Sequence, residues 1–436
     1  MPTPTDRRPP TDRRWLDVAV AAALLAVLTW QAWAFLGLSI PQQIREIPDD
    51  SFFYLQVARS FCDGNGFTFD GETPTYGFQP LWQLVLIAFC SLIGGGRALF
   101  VAAFLTCAAL HTGVAWALFR LGRNCFSTGA GLAAALLWIA NPALFTWSAG
   151  LKENALYALL LVIALARFAR DLRHPGGTMR DRRRRAIGFG VLLGLMVFTR
   201  VNALIPAAAL LGAHLVAIGL GGGLRARLHH VAIATIAAGI VALPWYAFAW
   251  WHFGTAMPTS GTWKLLLMRA QVEHGWGTPW LSFGHVLAAL RLWPDYLVML
   301  FHSGFSALRA PLYAAAIAWP ILALARRLSP RRIPLWPRGS AAAVWLLLVL
   351  TGSAAIASFA NQLMLPGYLA YARWYAVPEY LLIAIVGGGL LGTCWRKGDS
   401  WIHLAGSLAL LGAATWLWPP TLRSPRDDPR EAFTEL

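Results

Sequence analysis

"LWQLVLIAFCSLIGGG", residues 81–96, decides the topology of this chain. It is apolar and uncharged, yet short, and it stops on three glycines. If it crossed a membrane, the basic stretches "RLGRN" (120–124) and "RHPGGTMRDRRRR" (173–185) would both lie outside. That runs against the tendency of Lys and Arg to stay on the cytoplasmic side. If it lies along the outer surface, every basic loop returns to the cytoplasm. We therefore read it as a juxtamembrane helix.

Working outward, the chain is 57% hydrophobic and 13% charged, too apolar for an ordinary water-soluble domain. Apolar stretches of about 18 residues or more are long enough to cross a bilayer. They predict an all-α polytopic membrane protein with about eleven transmembrane helices, at 15–39, 98–119, 129–149, 153–170, 186–200, 203–220, 231–251, 307–327, 340–360, 378–395 and 401–418. This placement leaves 23 Lys and Arg on cytoplasmic segments against 10 on outer ones. The net charge of +16 is thus explained by orientation rather than by nucleic acid. The arginine run at 173–185 reads first as a cytoplasmic anchor loop, with an acidic-lipid or nucleic-acid site as the alternative. The five cysteines have no metal spacing, and the ten histidines form no HExxH pair, so no zinc site is expected. The first apolar run is longer than a signal-peptide core and reads as an uncleaved span. Most of the 22 tryptophans fit interfacial belts, although "AWWHF" (249–253) and "ARWYAVPEY" are also candidates for stacking on sugars.

The same topology brings the polar stretches to one side. "IPDDSFFYLQVARSFCDGNGFTFDGETPTYGFQPLW" (47–82), "SAGLKENAL" (148–156), "TRVN" (199–202), "GTAMPTSGTWK" (254–264) and "YARWYAVPEY" (371–380) all reach the outer face. Ionisable groups at membrane level are costly and usually functional. Asp49 and Asp50 open an amphipathic helix that Asp50 or Ser51 is placed to cap, but one cap suffices. A carboxylate at the edge of a low-dielectric cavity can instead act as a general base. It can equally serve as one oxygen ligand of Mg2+ or Mn2+, and the sequence does not separate these roles. Gly64, Gly66, Gly71 and Gly77, with Pro74 and Pro80, impose turns, so Asp63, Asp70 and Glu72 read as turn residues.

The run from Asp49 through Pro80-Leu81-Trp82 resembles the first outer loop of GT-C glycosyltransferases, which use polyprenyl-phosphate-linked sugars. They include mycobacterial-type arabinofuranosyltransferases, aminoarabinose transferases and protein O-mannosyltransferases. The likeness is strongest over 47–82, continues more loosely to about residue 264, and returns near Arg373. It implies a GT-C-like bundle with a large first extracytoplasmic loop (40–97) carrying juxtamembrane helices. The implied divisions are a basic cytoplasmic N-terminus (1–14), a catalytic transmembrane module (15–264), a distal module (265–418) and a polar tail (419–436). By the family pattern Asp49 or Asp50 is the catalytic acid position. Cations should hold the leaving phosphate, first Lys264, then Arg373 and Arg200. The alternative for each cation is an interface residue reaching for water. Glu153, Tyr76, Gln79 and Asn202 are expected to contact acceptor or sugar.

Two departures stand out. The family's Gly-x-Glu reads Gly150-Leu151-Lys152-Glu153 here, with the glutamate one place late. Its Arg-x-Asp reads Arg200-Val201-Asn202. The resemblance implies transfer of a sugar, with inversion, from a polyprenyl-phosphate donor to a glycan, lipid or protein acceptor, outside a bacterial inner membrane. The competing readings are a lipid-linked-sugar flippase or small-solute transporter, and a non-catalytic assembly subunit.

Overall fold

The computed structural model describes residues 11–174, 177–217, 223–275, 277–302, 341–364 and 376–394. Among these the architecture is helical, with one isolated bridge between Thr68 and Pro74. Among the described residues four helices are long and apolar enough to cross a membrane: Arg14–Leu36, Gly96–Cys125, Leu224–Phe253 and Ala343–Met364. The expected spans at 307–327 and 401–418 lie outside the described residues.

The first long helix, α1 (Thr11–Leu36), leads into two short helices, α2 (Ile40–Glu46) and α3 (Asp49–Ser60). A looped stretch then reaches α4 (Pro80–Ile93) and the long α5 (Gly96–Cys125). At 14 residues α4 is about 21 Å long, short of the ~30 Å needed to span. Pro80 starts it without loss, because the first-turn N–H has no helical partner anyway.

The stretch read as one span at 129–149 is two helices, α6 (Thr128–Ile139) and α7 (Pro142–Ser148). Pro142 disfavours helical geometry at the residue before it. The Asn141 side chain then accepts the Leu144 N–H at 3.3 Å and starts the second helix. Next come α8 (Asn154–Arg173) and α9 (Met179–Thr199). The arginine run read as loop is therefore largely the first two turns of α9. Thr178 and Asp181 form a reciprocal capping box there, a signal present in the sequence as Thr-Met-Arg-Asp. A short α10 (Leu204–Val216) and the 30-residue α11 (Leu224–Phe253) follow. The segment read as an outer connection contains α12 (Thr259–Ala270) and α13 (Phe283–His302). The last described helices are α14 (Ala341–Met364) and α15 (Val377–Cys394).

Burial falls into two clusters. One fills the bundle between α5, α6, α8, α9, α14 and α15, with Phe119, Trp138, Tyr157 and Phe168 at its centre. The other lies beneath the first loop, where Tyr54, Tyr76, Phe78, Trp82 and Phe104 pack together. Phe67 meets Trp245 edge-on, and Tyr76 stacks on Phe253 at 5.1 Å. These contacts fasten the first loop onto the end of α11.

Candidate active site

Pro48 occupies the cap position of α3, which puts Asp49 and Asp50 in its first turn. Neither Asp50 nor Ser51 caps the helix, contrary to the sequence expectation. The Asp50 N–H donates to Asp49 Oδ1 at 2.9 Å, and acids at a helix start are favoured by its dipole. The Ser51 hydroxyl is drawn away to the Gly150 carbonyl at 2.5 Å. That bond ties α3 to the turn between α7 and α8.

This turn accommodates the displaced glutamate. Leu151 takes a left-handed φ of 57°, a conformation that costs energy for a branched side chain. Its carbonyl receives the Trp82 Nε1 proton at 2.7 Å, and its side chain is fully buried. The two residues that follow it, Lys152 and Glu153, both contact α3. Lys152 Nζ donates to Asp50 Oδ2 at 3.2 Å. Glu153 accepts the Tyr54 hydroxyl at 3.0 Å and lies 3.6 Å from Arg200 Nη1. Arg200 also donates to Asn154 Oδ1 at 2.6 Å.

The electrostatics follow from burial. The Lys152 side chain is only 4% exposed, whereas Asp50 is 47% exposed. Loss of hydration holds the Lys152 ammonium below its usual pKa, against the opposing pull of Asp50 and Glu153. Tyr54 is pushed well above the usual phenol range, first by burial and then by the Glu153 charge. Its hydroxyl accepts the Gln79 N–H at 2.9 Å and so joins the first loop to the same network. Tyr54 escaped the sequence reading because a tyrosine in an amphipathic surface helix gives no sign of a buried carboxylate partner.

Asp49, Asp50, Lys152, Glu153, Arg200 and Lys264 all line one cavity of about 1040 Å3. Gln79 lines it as well. Lys264 comes from α12, which begins where Thr259 donates both its N–H (2.6 Å) and its hydroxyl (3.0 Å) to the Tyr76 carbonyl. Two expected contact residues are placed elsewhere. Tyr76 is fully buried, its hydroxyl accepting the Trp245 Nε1 proton at 3.1 Å, so it braces the loop rather than lining the cavity. Asn202 is also not among the cavity-lining residues, and its Oδ1 has no hydrogen-bond partner among the described residues. Arg373 lies outside the described residues. Behind the site, buried Glu379 on α15 leaves both carboxyl oxygens without hydrogen-bond partners among the described residues.

Lys152 engages one oxygen of Asp50, so the carboxylate oxygens that would hold Mg2+ or Mn2+ here are those of Asp49 and Asp50 Oδ1, with the adjacent ammonium weakening such a site.

The family of dolichyl-phosphate-mannose-protein mannosyltransferases matches residues 79–247. No curated protein sequence matches the chain. Among solved structures, ArnT from Cupriavidus metallidurans bound to undecaprenyl phosphate is similar at a TM-score of 0.54 and 17% identity. The similarity covers 95% of this chain and 66% of the ArnT chain. AglB, the archaeal oligosaccharyltransferase from Archaeoglobus fulgidus, in complex with an inhibitory peptide and a dolichol-phosphate, is similar at a TM-score of 0.51 and 14% identity. There the similarity covers 94% of this chain and 57% of the other. The chain thus spans somewhat less than two thirds of the length of these relatives. It shares its helical fold with these two structures, and its residues 79–247 are similar to the mannosyltransferase family.

Proposed function

We propose that the protein transfers a glycosyl group from a polyprenyl-phosphate donor to a hydroxyl acceptor on the outer side of a bacterial inner membrane. The observation that carries this reading is the convergence of three acids (Asp49, Asp50 and Glu153) and three cations (Lys152, Arg200 and Lys264), from four separated segments, on one cavity. Asp49 takes the proton of the acceptor hydroxyl. The resulting oxygen attacks the anomeric carbon as the bond to the phosphate oxygen breaks, with inversion. Asp50 is held by Lys152 and is less suited to the proton transfer. Lys264 and Arg200 face the charge that grows on the departing phosphate, where a water-poor setting strengthens their effect. Arg373 is assigned to the same phosphate by the GT-C resemblance. Glu153 and Gln79 are assigned to the acceptor or sugar. The ArnT and AglB structures both hold a lipid phosphate, which supports a lipid-linked donor here.

The test uses purified protein with a panel of polyprenyl-phospho-sugars. Asp49→Asn is expected to lower kcat about 10^2- to 10^4-fold, the usual contribution of a positioned base. Lys264→Met is expected to raise KM for the donor. Full transfer by Asp49→Asn would remove the base assignment. Protein-dependent movement of the lipid-sugar across a bilayer, with no transfer in any pairing, would favour a flippase.

A further inference from the structure

α8 and α9 each run about 30 Å from the carboxylate cavity, judged from 20 and 21 residues at ~1.5 Å per residue. Their far ends, with the end of α10 and the start of α11, enclose a second cavity of about 590 Å3. Five arginines line it: Arg182, Arg183, Arg185, Arg225 and Arg227. Asp171 is its one acid, and Arg185 Nη1 lies 3.7 Å from it. The net field in this hollow is strongly positive.

Positive charge at the cytoplasmic end of a span is ordinary. An arginine serving only orientation extends into water, as the exposed Arg183 and Arg225 do, whereas Arg182, Arg185 and Arg227 are half-buried. The Nε atoms of Arg182 and Arg227 are buried without hydrogen-bond partners among the described residues. His214 also lines the cavity, is only 2% exposed, and its Nε2 has no hydrogen-bond partner among the described residues, with Asp171 Oδ2 3.9 Å away. Its Nδ1 lies 2.9 Å from the Leu210 carbonyl, which can only accept, so Nδ1 carries a proton and Nε2 is the atom presented to the cavity region. The amino terminus of the 30-residue α11 borders the same space, adding the positive end of its dipole.

We propose that this cavity binds the phosphate headgroup of an anionic phospholipid. The lipid source is argued from the rim. Leu224 and Leu228, one turn apart on α11, are 59% and 50% exposed, and Met179 on α9 is 71% exposed. α11 is itself a membrane-span candidate, so its first turns lie at the level of lipid headgroups. Acyl chains would run along these apolar side chains while the phosphate enters the arginines.

Asp171, His214 and His230 also bring one ligand atom each within 4.8 Å of one another, a set suited in type to a divalent metal. The surroundings disfavour that occupant. Arg185 competes for the only carboxylate, and four more guanidinium groups repel a dication.

The full chain is reconstituted in nanodiscs of phosphatidylcholine, and binding of phosphatidylglycerol is titrated by native mass spectrometry. Inorganic phosphate is the competitor. Arg182→Gln/Arg227→Gln is expected to weaken phosphatidylglycerol binding at least tenfold. Arg180→Gln/Arg184→Gln removes the same charge from exposed positions outside the cavity and is expected to change it less than twofold. Equal losses in the two double variants would reduce the effect to general surface attraction and overturn the site. Displacement of the lipid by micromolar inorganic phosphate would overturn the lipid as occupant. Stoichiometric copurified metal that survives the arginine changes but is lost in His214→Ala would assign the cavity to a cation instead. None of these readouts involves glycosyl transfer, so the site and the proposed reaction fail independently.

Discussion

At the scale of single residues, the site depends on Lys152. A buried ammonium costs hydration, and Asp50 recovers only part of it. Because its folded pKa is lowered, the unfolded chain binds the extra proton across the interval up to the ordinary lysine value of 10.5. Stability therefore rises with pH through that interval, and the burial cost is felt in full below it. Activity should move the other way. Deprotonation removes the charge that holds Asp50, so transfer falls on the alkaline side before an exposed lysine would titrate. Lys152→Arg keeps its charge past pH ~12 and should shift that alkaline limb upward. The check is kcat/KM against pH for both proteins; superimposable limbs would mean that another group controls it.

At the scale of elements, close helix contacts determine how the bundle positions Arg200. Gly190 and Gly194, one turn apart on α9, let it approach the α11 backbone at Ala234 and Ala238. A Cβ on Gly194 would lie 2.7 Å from the Ala238 carbonyl oxygen. Small residues at this spacing allow helices in a membrane to pack backbone to backbone. Tyr246 on α11 reinforces the pairing by donating to the Val197 carbonyl at 2.9 Å, three residues before Arg200. Gly194→Leu should therefore cost about 1–3 kcal/mol or more through overpacking. It should also lower transfer by displacing Arg200. Thermal unfolding in detergent and donor KM are the measurements. Gly188→Leu is the control, because a Cβ there meets nothing within 4 Å. Equal melting points for the two variants would count against the close packing. The pairing of α9 with α11 was not legible in the sequence. Hydropathy and charge locate helices and orient them, but carry no record of which small residues face each other.

At the scale of the whole molecule, residues 49–50, 152–153, 200 and 264 share one cavity although up to about half the chain separates them. The sequence made their common side of the membrane legible, because alternating spans and basic loops assign each connection to a face. It made Asp49, Asp50 and Lys264 legible by type. It misplaced Tyr76, since an aromatic in a turn-rich loop reads as exposed, whereas the Phe253 and Trp245 rings cover this one. It also concealed the left-handed turn at Leu151 that precedes Lys152 and Glu153, because φ is not written in residue order. Tyr76 has a structural consequence that can be tested without disturbing the core. Thr259 makes both of its bonds to the Tyr76 carbonyl from the first position of α12. A proline tolerates that position, since the helix does not use the N–H there, and Pro258 already has the extended ψ of 131° that a following proline favours. Thr259→Pro thus leaves α12 able to form while removing both bonds to the first loop. With α12 released, Lys264 is no longer held over the acids. Donor KM should rise several-fold or more, while helical content by circular dichroism stays unchanged. Thr259→Val, which keeps the 2.6 Å backbone bond, should fall between wild type and the proline variant. If the proline variant transfers with unaltered KM, α12 is placed by something other than Tyr76, and the role of Lys264 must be argued on other grounds.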